Sequence, residues 1–131
     1  METLGLDHYN LRAPQPLLEA LRAFYCDVVG LRVGDRPAFS TAGYWLYAGS
    51  QPVLHLTQAR EGQARPAGTP GTFDHAAFSC TGRAAFEARL QQHGVRYRTS
   101  RVPHTSQVQL FITDPAGNGV ELNFAGAADA E

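Results

Sequence analysis

The chain has 131 residues, of which 44% are hydrophobic, and its 11 basic and 12 acidic residues leave a net charge of -1. This length suffices for one domain or two small modules with a buried core, and the composition is typical of a globular protein. The balanced charge gives no electrostatic reason to expect nucleic acid or an anionic membrane as a partner. No apolar run approaches the roughly 18 residues that a membrane-spanning helix needs.

The N-terminal residues and the cysteines predict where the protein works. The chain starts with Met-Glu-Thr-Leu, which lacks the basic and apolar regions of a secretory signal peptide. Cys26 and Cys80 are far apart and do not form a Cys-x-x-Cys motif. Two such cysteines are typical of reduced, packed thiols. We therefore expect a cytoplasmic protein.

The first half of the chain predicts a strand, a helix and three further strands. Apolar residues from Leu17 to Val29 recur at helical spacing, and Gly30 is a typical residue to end that helix. The four predicted strands cover residues 6–11, 31–33, 39–47 and 52–57.

The second half repeats this order after a predicted linker. Residues 59–71 are rich in Gly, Pro, Arg and Gln and show no hydrophobic periodicity. A strand is predicted at 73–78, a helix at 83–93 ended by Gly94, and strands at 95–97, 108–113 and 120–124. The sequence therefore predicts an α+β fold of two βαβββ modules, residues 4–58 and 72–124, within one domain.

The last predicted strand places a carboxylate opposite an apolar stripe. Side chains alternate along a strand, so Val120, Leu122 and Phe124 share one face while Glu121 and Asn123 share the other. An unpaired buried charge is very costly. If this face is enclosed, Glu121 needs a partner.

Three histidines are placed to provide that partner. Asp-His occurs at 7–8 and again at 74–75; His55 follows His8 by 47 positions, and Glu121 follows His75 by 46. A single strand histidine is more often a hydrogen-bonded structural residue, but this matched spacing favours a shared role. Two imidazoles and a carboxylate on one face form a set that binds divalent metals while leaving positions open for substrate. We predict that His8, His75 and Glu121 bind a metal, with His55 on the same surface.

The most specific motifs resemble those of the vicinal oxygen chelate superfamily, which includes glyoxalase I, extradiol dioxygenases and the fosfomycin- and bleomycin-resistance proteins. They are Leu6-Asp7-His8, residues 24–31, residues 74–78, and Asp114-Pro115-Ala116-Gly117-Asn118 with Val120-Glu121-Leu122. The resemblance implies one domain over residues 1–131, in which paired βαβββ modules form a cupped, barrel-like mixed sheet with helices outside. It also implies one divalent metal (iron, manganese, nickel, cobalt or zinc) on His8, His75 and Glu121.

The resemblance leaves the reaction open. Glyoxalase I enzymes have a fourth ligand, usually Glu, on the strand where this chain has His55, whereas extradiol dioxygenases use a histidine of this region as an acid–base group. Phe111 takes the place of a tyrosine that the dioxygenases carry. We expect a metal-dependent enzyme whose metal acts as a Lewis acid on a substrate chelated through vicinal oxygens. Dioxygenase chemistry, with His55 as catalytic acid–base residue, is favoured because the other three ligands already complete a set.

Three alternatives remain at this point. They are a glyoxalase-like lyase or isomerase, a protein that binds or sequesters a small molecule without turnover, and a structural paralogue without metal. The aromatic residues Tyr44, Trp45 and Tyr47 exceed what one small module needs, so we expect a homodimer. The predicted partners are a small-molecule substrate and a second copy of the chain.

Overall fold

The computed structural model describes residues 1–63, 67–68 and 71–130. The chain divides into two compact units, residues 1–67 and 68–131. Each unit has a strand, a helix and three more strands, in that order. The predicted α+β class and the two βαβββ modules are therefore confirmed. Residues 64–66 and 69–70 of the predicted linker lie outside the described residues.

The first unit is a four-stranded mixed sheet in which the first and last strands are neighbours. The strand order is β1-β4-β3-β2, with β1 parallel to β4 and the other pairs antiparallel. The elements are β1 (Tyr9–Ala13), α1 (Gln15–Phe24), β2 (Arg32–Gly34), β3 (Gly43–Ala48) and β4 (Gln51–Gln58). This order places the two ends of the unit's sequence on adjacent strands.

Helix α1 covers one face of this sheet. Leu18 and Leu21 on the helix and Leu54 and Leu56 on β4 are buried, and α1 packs against β4. After Phe24 the chain continues as one π-helical turn, Tyr25–Val29. Gly30 ends it in the left-handed conformation, with φ of 95°, which glycine adopts without the steric cost of a Cβ. Leu54 and Leu56 face α1, so the side chain between them, that of His55, points to the opposite face of the sheet.

The second unit repeats the arrangement. Its order is β5-β8-β7-β6, with β5 parallel to β8. The elements are β5 (His75–Ser79), α2 (Arg83–Gln92), β6 (Arg98–Arg101), β7 (Val108–Thr113) and β8 (Gly119–Phe124). Its core is formed by side chains that are 4% exposed or less: Leu90, Val108, Leu110, Ile112, Val120, Leu122 and Phe124. The Asp129 carboxylate accepts hydrogen bonds from the amides of Gly82 and Arg83 at the start of α2.

Three strands begin three or more residues later than predicted. The β1 ladder starts at Tyr9, paired with Leu54, so His8 directly precedes the strand. Residues 95–97 are not a strand, because the Val95 amide still donates to Leu90 O at 2.8 Å and completes the end of α2. The strand follows at Arg98. Residues 39–42 precede β3 as a loop.

Across residues 1–63, 67–68 and 71–130, no helix combines the length and the apolar character needed to cross a membrane.

Candidate metal-binding residues

His8 has one ring nitrogen engaged and one left for a ligand. Its Nδ1 lies 2.6 Å from Asp7 Oδ2, and an ionised carboxylate only accepts, so Nδ1 donates. This leaves Nε2 with its lone pair. Hydrogen bonding of the second ring nitrogen to a carboxylate is the usual way in which metal-binding histidines are oriented. The His8 side chain is 38% exposed.

His55 lies between two aromatic rings on the same face. Its ring centroid is 3.7 Å from that of His8, with an interplanar angle of 15°, and 4.1 Å from that of Trp45. The residue is 8% exposed, and its buried Nε2 has no hydrogen-bond partner among the described residues. Burial lowers the pKa of His55 below its usual value, and the neighbouring His8 lowers it further. His55 is therefore a buried imidazole whose neutral form is favoured.

His75 and Glu121 form the corresponding pair in the second unit. His75 Nδ1 lies 2.6 Å from Asp74 Oδ2, and its Nε2 lies 3.4 Å from Glu121 Oε1. Glu121 is 5% exposed, and the Asn123 side-chain amide donates to its Oε2 at 3.2 Å. The buried carboxylate thus has the partner that the sequence required.

The two pairs occupy equivalent positions in their sheets. Asn10 pairs with His55, and His8 precedes Asn10 by two residues; Ala77 pairs with Glu121, and His75 precedes Ala77 by two residues. The antiparallel neighbours also correspond, since Trp45 pairs with His55 and Phe111 with Glu121. His8 therefore corresponds to His75, and His55 to Glu121.

The donors of the second unit fit a divalent ion chemically. Two donors about 2.1 Å from one ion lie about 3.0–3.4 Å apart at octahedral or tetrahedral angles, which matches the 3.4 Å between His75 Nε2 and Glu121 Oε1. Imidazole nitrogens and a carboxylate suit iron, zinc, nickel and similar metals. Among the residues described within either unit, no group of three His, Cys, Asp or Glu side chains converges on one point.

The aspartates were not assigned a role from the sequence. Asp7 and Asp74 are exposed, and each orients the imidazole of the next residue. The repeated Asp-His dipeptide was the available signal. Trp45 was predicted to contribute to a dimer surface, and in the structure it stacks on His55.

Comparison with known proteins identifies the family. Residues 5–122 match the Glyoxalase/Bleomycin resistance protein/Dioxygenase superfamily. The chain belongs to this superfamily. No functionally curated protein sequence matches it.

Several solved structures of superfamily proteins share the fold. A glyoxalase family protein from Bacillus anthracis is 23% identical over 96% of this chain and 98% of its own, with a TM-score of 0.72. Lactoylglutathione lyase from Agrobacterium tumefaciens is 24% identical over 95% and 96%, with a TM-score of 0.67. The trypanothione-dependent glyoxalase I of Leishmania major is 21% identical over 92% and 86%, with a TM-score of 0.64. At these identities the likeness establishes the fold alone.

Proposed function

We propose that this superfamily member is a divalent-metal-dependent enzyme that acts on a small molecule bound through two neighbouring oxygens. One observation carries the proposal: each unit presents an Asp-oriented histidine beside a second buried donor, at equivalent register positions. Structural residues that arose independently would not need this correspondence. The proposed ligands are His8, His75 and Glu121.

The residues of the proposed ligand set have distinct tasks. His8 and His75 bind through Nε2 because their Nδ1 atoms donate to Asp7 and Asp74. Glu121 supplies the negative charge, and Asn123 holds its second oxygen. When bound, a divalent metal supplies Lewis-acid stabilisation of negative charge on a substrate oxygen.

His55 is proposed as the acid–base residue and not as a fourth ligand. Its ring is nearly parallel to the His8 ring at 3.7 Å, so the in-plane lone pairs of the two imidazoles run side by side and do not converge. Its buried Nε2 is unpartnered among the described residues and can take a proton from a bound substrate. Trp45 covers the opposite ring face and excludes water from it.

This assignment favours dioxygenase-type chemistry, and two observations favour a lyase or isomerase instead. Because His55 occupies the register position of Glu121, a rotated His55 would give a fourth ligand of the glyoxalase type. Phe111, directly opposite Glu121, carries no hydroxyl for proton transfer, which also supports this second candidate. Oxygen consumption with catechols distinguishes the two, since a lyase or isomerase turns over without it.

Elemental analysis of protein expressed with supplemented metals tests the proposal. We expect close to one divalent ion per chain in the wild type and loss of that ion in Glu121→Gln, which removes the anionic ligand. Asp27→Asn, a carboxylate-to-amide change in the π-helical turn, is the matched control and should keep the metal. Wild-type protein that is metal-free, and that shows no thermal shift with iron, manganese, nickel or zinc, contradicts the proposal.

A non-catalytic binding protein would pass the metal test but fail a turnover screen. A cytoplasmic homodimer remains our prediction for the setting of the enzyme. The aromatic residues behind the dimer prediction have partners inside the first unit: Tyr44 donates to Glu19, Tyr47 donates to Asp35 O, and Trp45 stacks on His55. Light scattering over a dilution series tests the dimer directly.

A further inference from the structure

A cavity of about 450 Å³ in the first unit lies between α1, the start of β3 and the loop that precedes β3. It is lined by Leu18 and Glu19 of α1 and by Tyr44 of β3. Tyr44 precedes Trp45, and successive strand side chains point to opposite faces, so Tyr44 faces the helix while Trp45 faces His55. The volume is within the range of small-molecule sites.

The cavity presents a cation, Arg36, that has no counter-ion within the part of the chain that the structure describes. Arg36 lines it and lies over the Phe39 ring at 4.9 Å. Its Nε is buried and donates to no acceptor among the described residues, and no described carboxylate forms an ion pair with it. A partly buried guanidinium without an acceptor is costly, because its donors lose water without gaining a partner.

The acidic residue of the cavity, Glu19, is already engaged in an ion pair and a hydrogen bond. Glu19 accepts from Arg22 Nε at 3.0 Å and from the Tyr44 hydroxyl at 2.6 Å. It is therefore not available to Arg36, and its negative charge disfavours a dianion nearby. The net character of the site suits a ligand with a single negative charge.

We propose that this cavity binds a small monocarboxylate with an apolar or aromatic body. The planar guanidinium of Arg36 matches a carboxylate with two parallel hydrogen bonds, and Leu18, Phe39 and Tyr44 supply apolar walls. The hydroxyl of Thr41 and the side-chain amides of Gln15 and Gln58, which also line the cavity, provide further polar contacts. None of the proposed metal ligands lines the cavity, although its Phe39 packs against Trp45, which stacks on His55.

Calorimetric titration of benzoate into metal-free, dialysed protein tests the site, with neutral benzamide as the isosteric probe. We expect saturable binding of benzoate, weaker binding of benzamide, and a loss of affinity of about 10- to 100-fold in Arg36→Gln, the range for removing hydrogen bonds to a charged group. Arg36→Lys keeps the positive charge but loses the planar pair of donors, so its affinity for benzoate should lie between those of the wild type and Arg36→Gln. Arg60→Gln, the same charge change on an exposed turn of this unit, should bind as wild type does.

Amide chemical shifts locate the ligand in the wild type without any variant. Benzoate should move the resonances of Thr41, Ala42 and Tyr44. Absence of binding at millimolar benzoate, tighter binding of inorganic phosphate, or shifts confined to residues outside the cavity would each overturn the proposal. Binding that survives Arg36→Gln but is lost in His8→Ala would place benzoate at the metal ligands and overturn it too. If the protein holds no metal at all, the benzoate result still decides this proposal.

Discussion

At the residue scale, the environment of His55 separates it from the other two histidines. His8 and His75 are more than a third exposed and each is oriented by the preceding aspartate. His55 is buried between His8 and Trp45 and has no such carboxylate. Its ring hydrogen-bonds the backbone of Pro52 instead, and because it is nearly parallel to the His8 ring, the lone pairs of the two imidazoles do not converge on one ion.

We therefore expect His55→Ala to keep its metal and lose activity. General acid–base groups contribute about 10²–10⁴-fold to rate, so turnover should fall by that factor while metal content stays at the wild-type level. The measurement is metal stoichiometry and affinity beside kcat for both proteins, with His93→Ala, at the end of α2, as control. Loss of the metal in His55→Ala would indicate that His55 is a fourth ligand and would favour the lyase or isomerase function.

Gly119 fixes the position of His75. The two residues are register partners, and a Cβ at Gly119 would lie 2.4 Å from Asp74 O and 2.9 Å from His75 Cβ. The backbone of β5 can approach β8 this closely only because the side chain is absent. The equivalent position in the first unit, two residues before His55, is Val53, so this close approach is a feature of the second unit.

Gly119→Ala should weaken metal binding and stability together. Overpacking of this kind costs about 1–3 kcal/mol, and the shift of β5 moves His75 away from Glu121. Urea denaturation and metal titration are the measurements. Gly71→Ala is the matched control, because a Cβ there meets nothing within 4 Å. A Gly119→Ala protein with wild-type metal affinity would show that His75 does not need this contact.

At the element scale, helix α1 is tied to β3 by a charged network. Glu19 on the helix accepts from Tyr44 on the strand and from Arg22 one turn later. The Tyr44 hydroxyl, followed by Arg22, lowers the pKa of Glu19 below its ordinary value of 4.5. A carboxyl group whose pKa is lowered by folding stabilises the folded state above its unfolded pKa, and this contribution is lost as the pH falls through the folded value.

Glu19→Gln should therefore be less stable than wild type at neutral pH and nearly equal to it in acid. The Glu19 side chain is 36% exposed, and screening keeps the expected loss below about 1 kcal/mol. Urea unfolding between about pH 3 and pH 7 gives the comparison. Glu61→Gln, in an exposed turn, should show no such pH dependence. A Glu19→Gln difference that stays constant across this range would assign the loss to packing.

Alternation and turn chemistry predicted most of the fold. The 108–113 strand was predicted at its observed bounds, and the faces of Val120 and Glu121 follow from a period of two. The errors lie where backbone hydrogen bonds decide: Val95 completes a helix end instead of starting a strand, and the ladder between β1 and β4 starts only at Tyr9. For the site, residue type and spacing predicted the four candidate donors. The stacking of His55 on His8 and the roles of Asp7 and Asp74 depend on side-chain rotamers, which the pattern does not contain.

At the scale of the whole molecule, each unit has its own core and carries one cysteine. Cys26 lies in the first unit and Cys80 in the second, and both are free. Burial raises the pKa of both thiols, so the thiolate fraction at neutral pH is smaller in the folded protein than in the unfolded chain. Each thiol therefore reports on the opening of its own unit.

If the proposed ligands His8, His75 and Glu121 hold one metal, that metal should slow alkylation of both thiols. A ligand that binds only the folded state stabilises it by mass action, and here that stabilisation would be shared between the units. Pulsed iodoacetamide labelling in moderate urea, resolved by peptide mass, measures Cys26 and Cys80 separately. Glu121→Gln should abolish the metal effect at both positions. Protection of Cys80 alone would mean that His8 is not a ligand.

The strand order of each unit also dictates when the candidate donors meet during synthesis. β1 is the first strand of the first unit to leave the ribosome and β4 is the last, yet they are neighbours in the sheet. Nearly the whole first unit must therefore be synthesised before His55 can pack against His8. The same holds for Glu121 and His75 in the second unit. Pairings between strands so distant in sequence form late and slowly, because the chain loses the entropy of loop closure before the stabilising contacts form. Until β4 and β8 emerge, β1 and β5 remain strands without partners, which makes these intermediates the ones most prone to pair with another nascent chain.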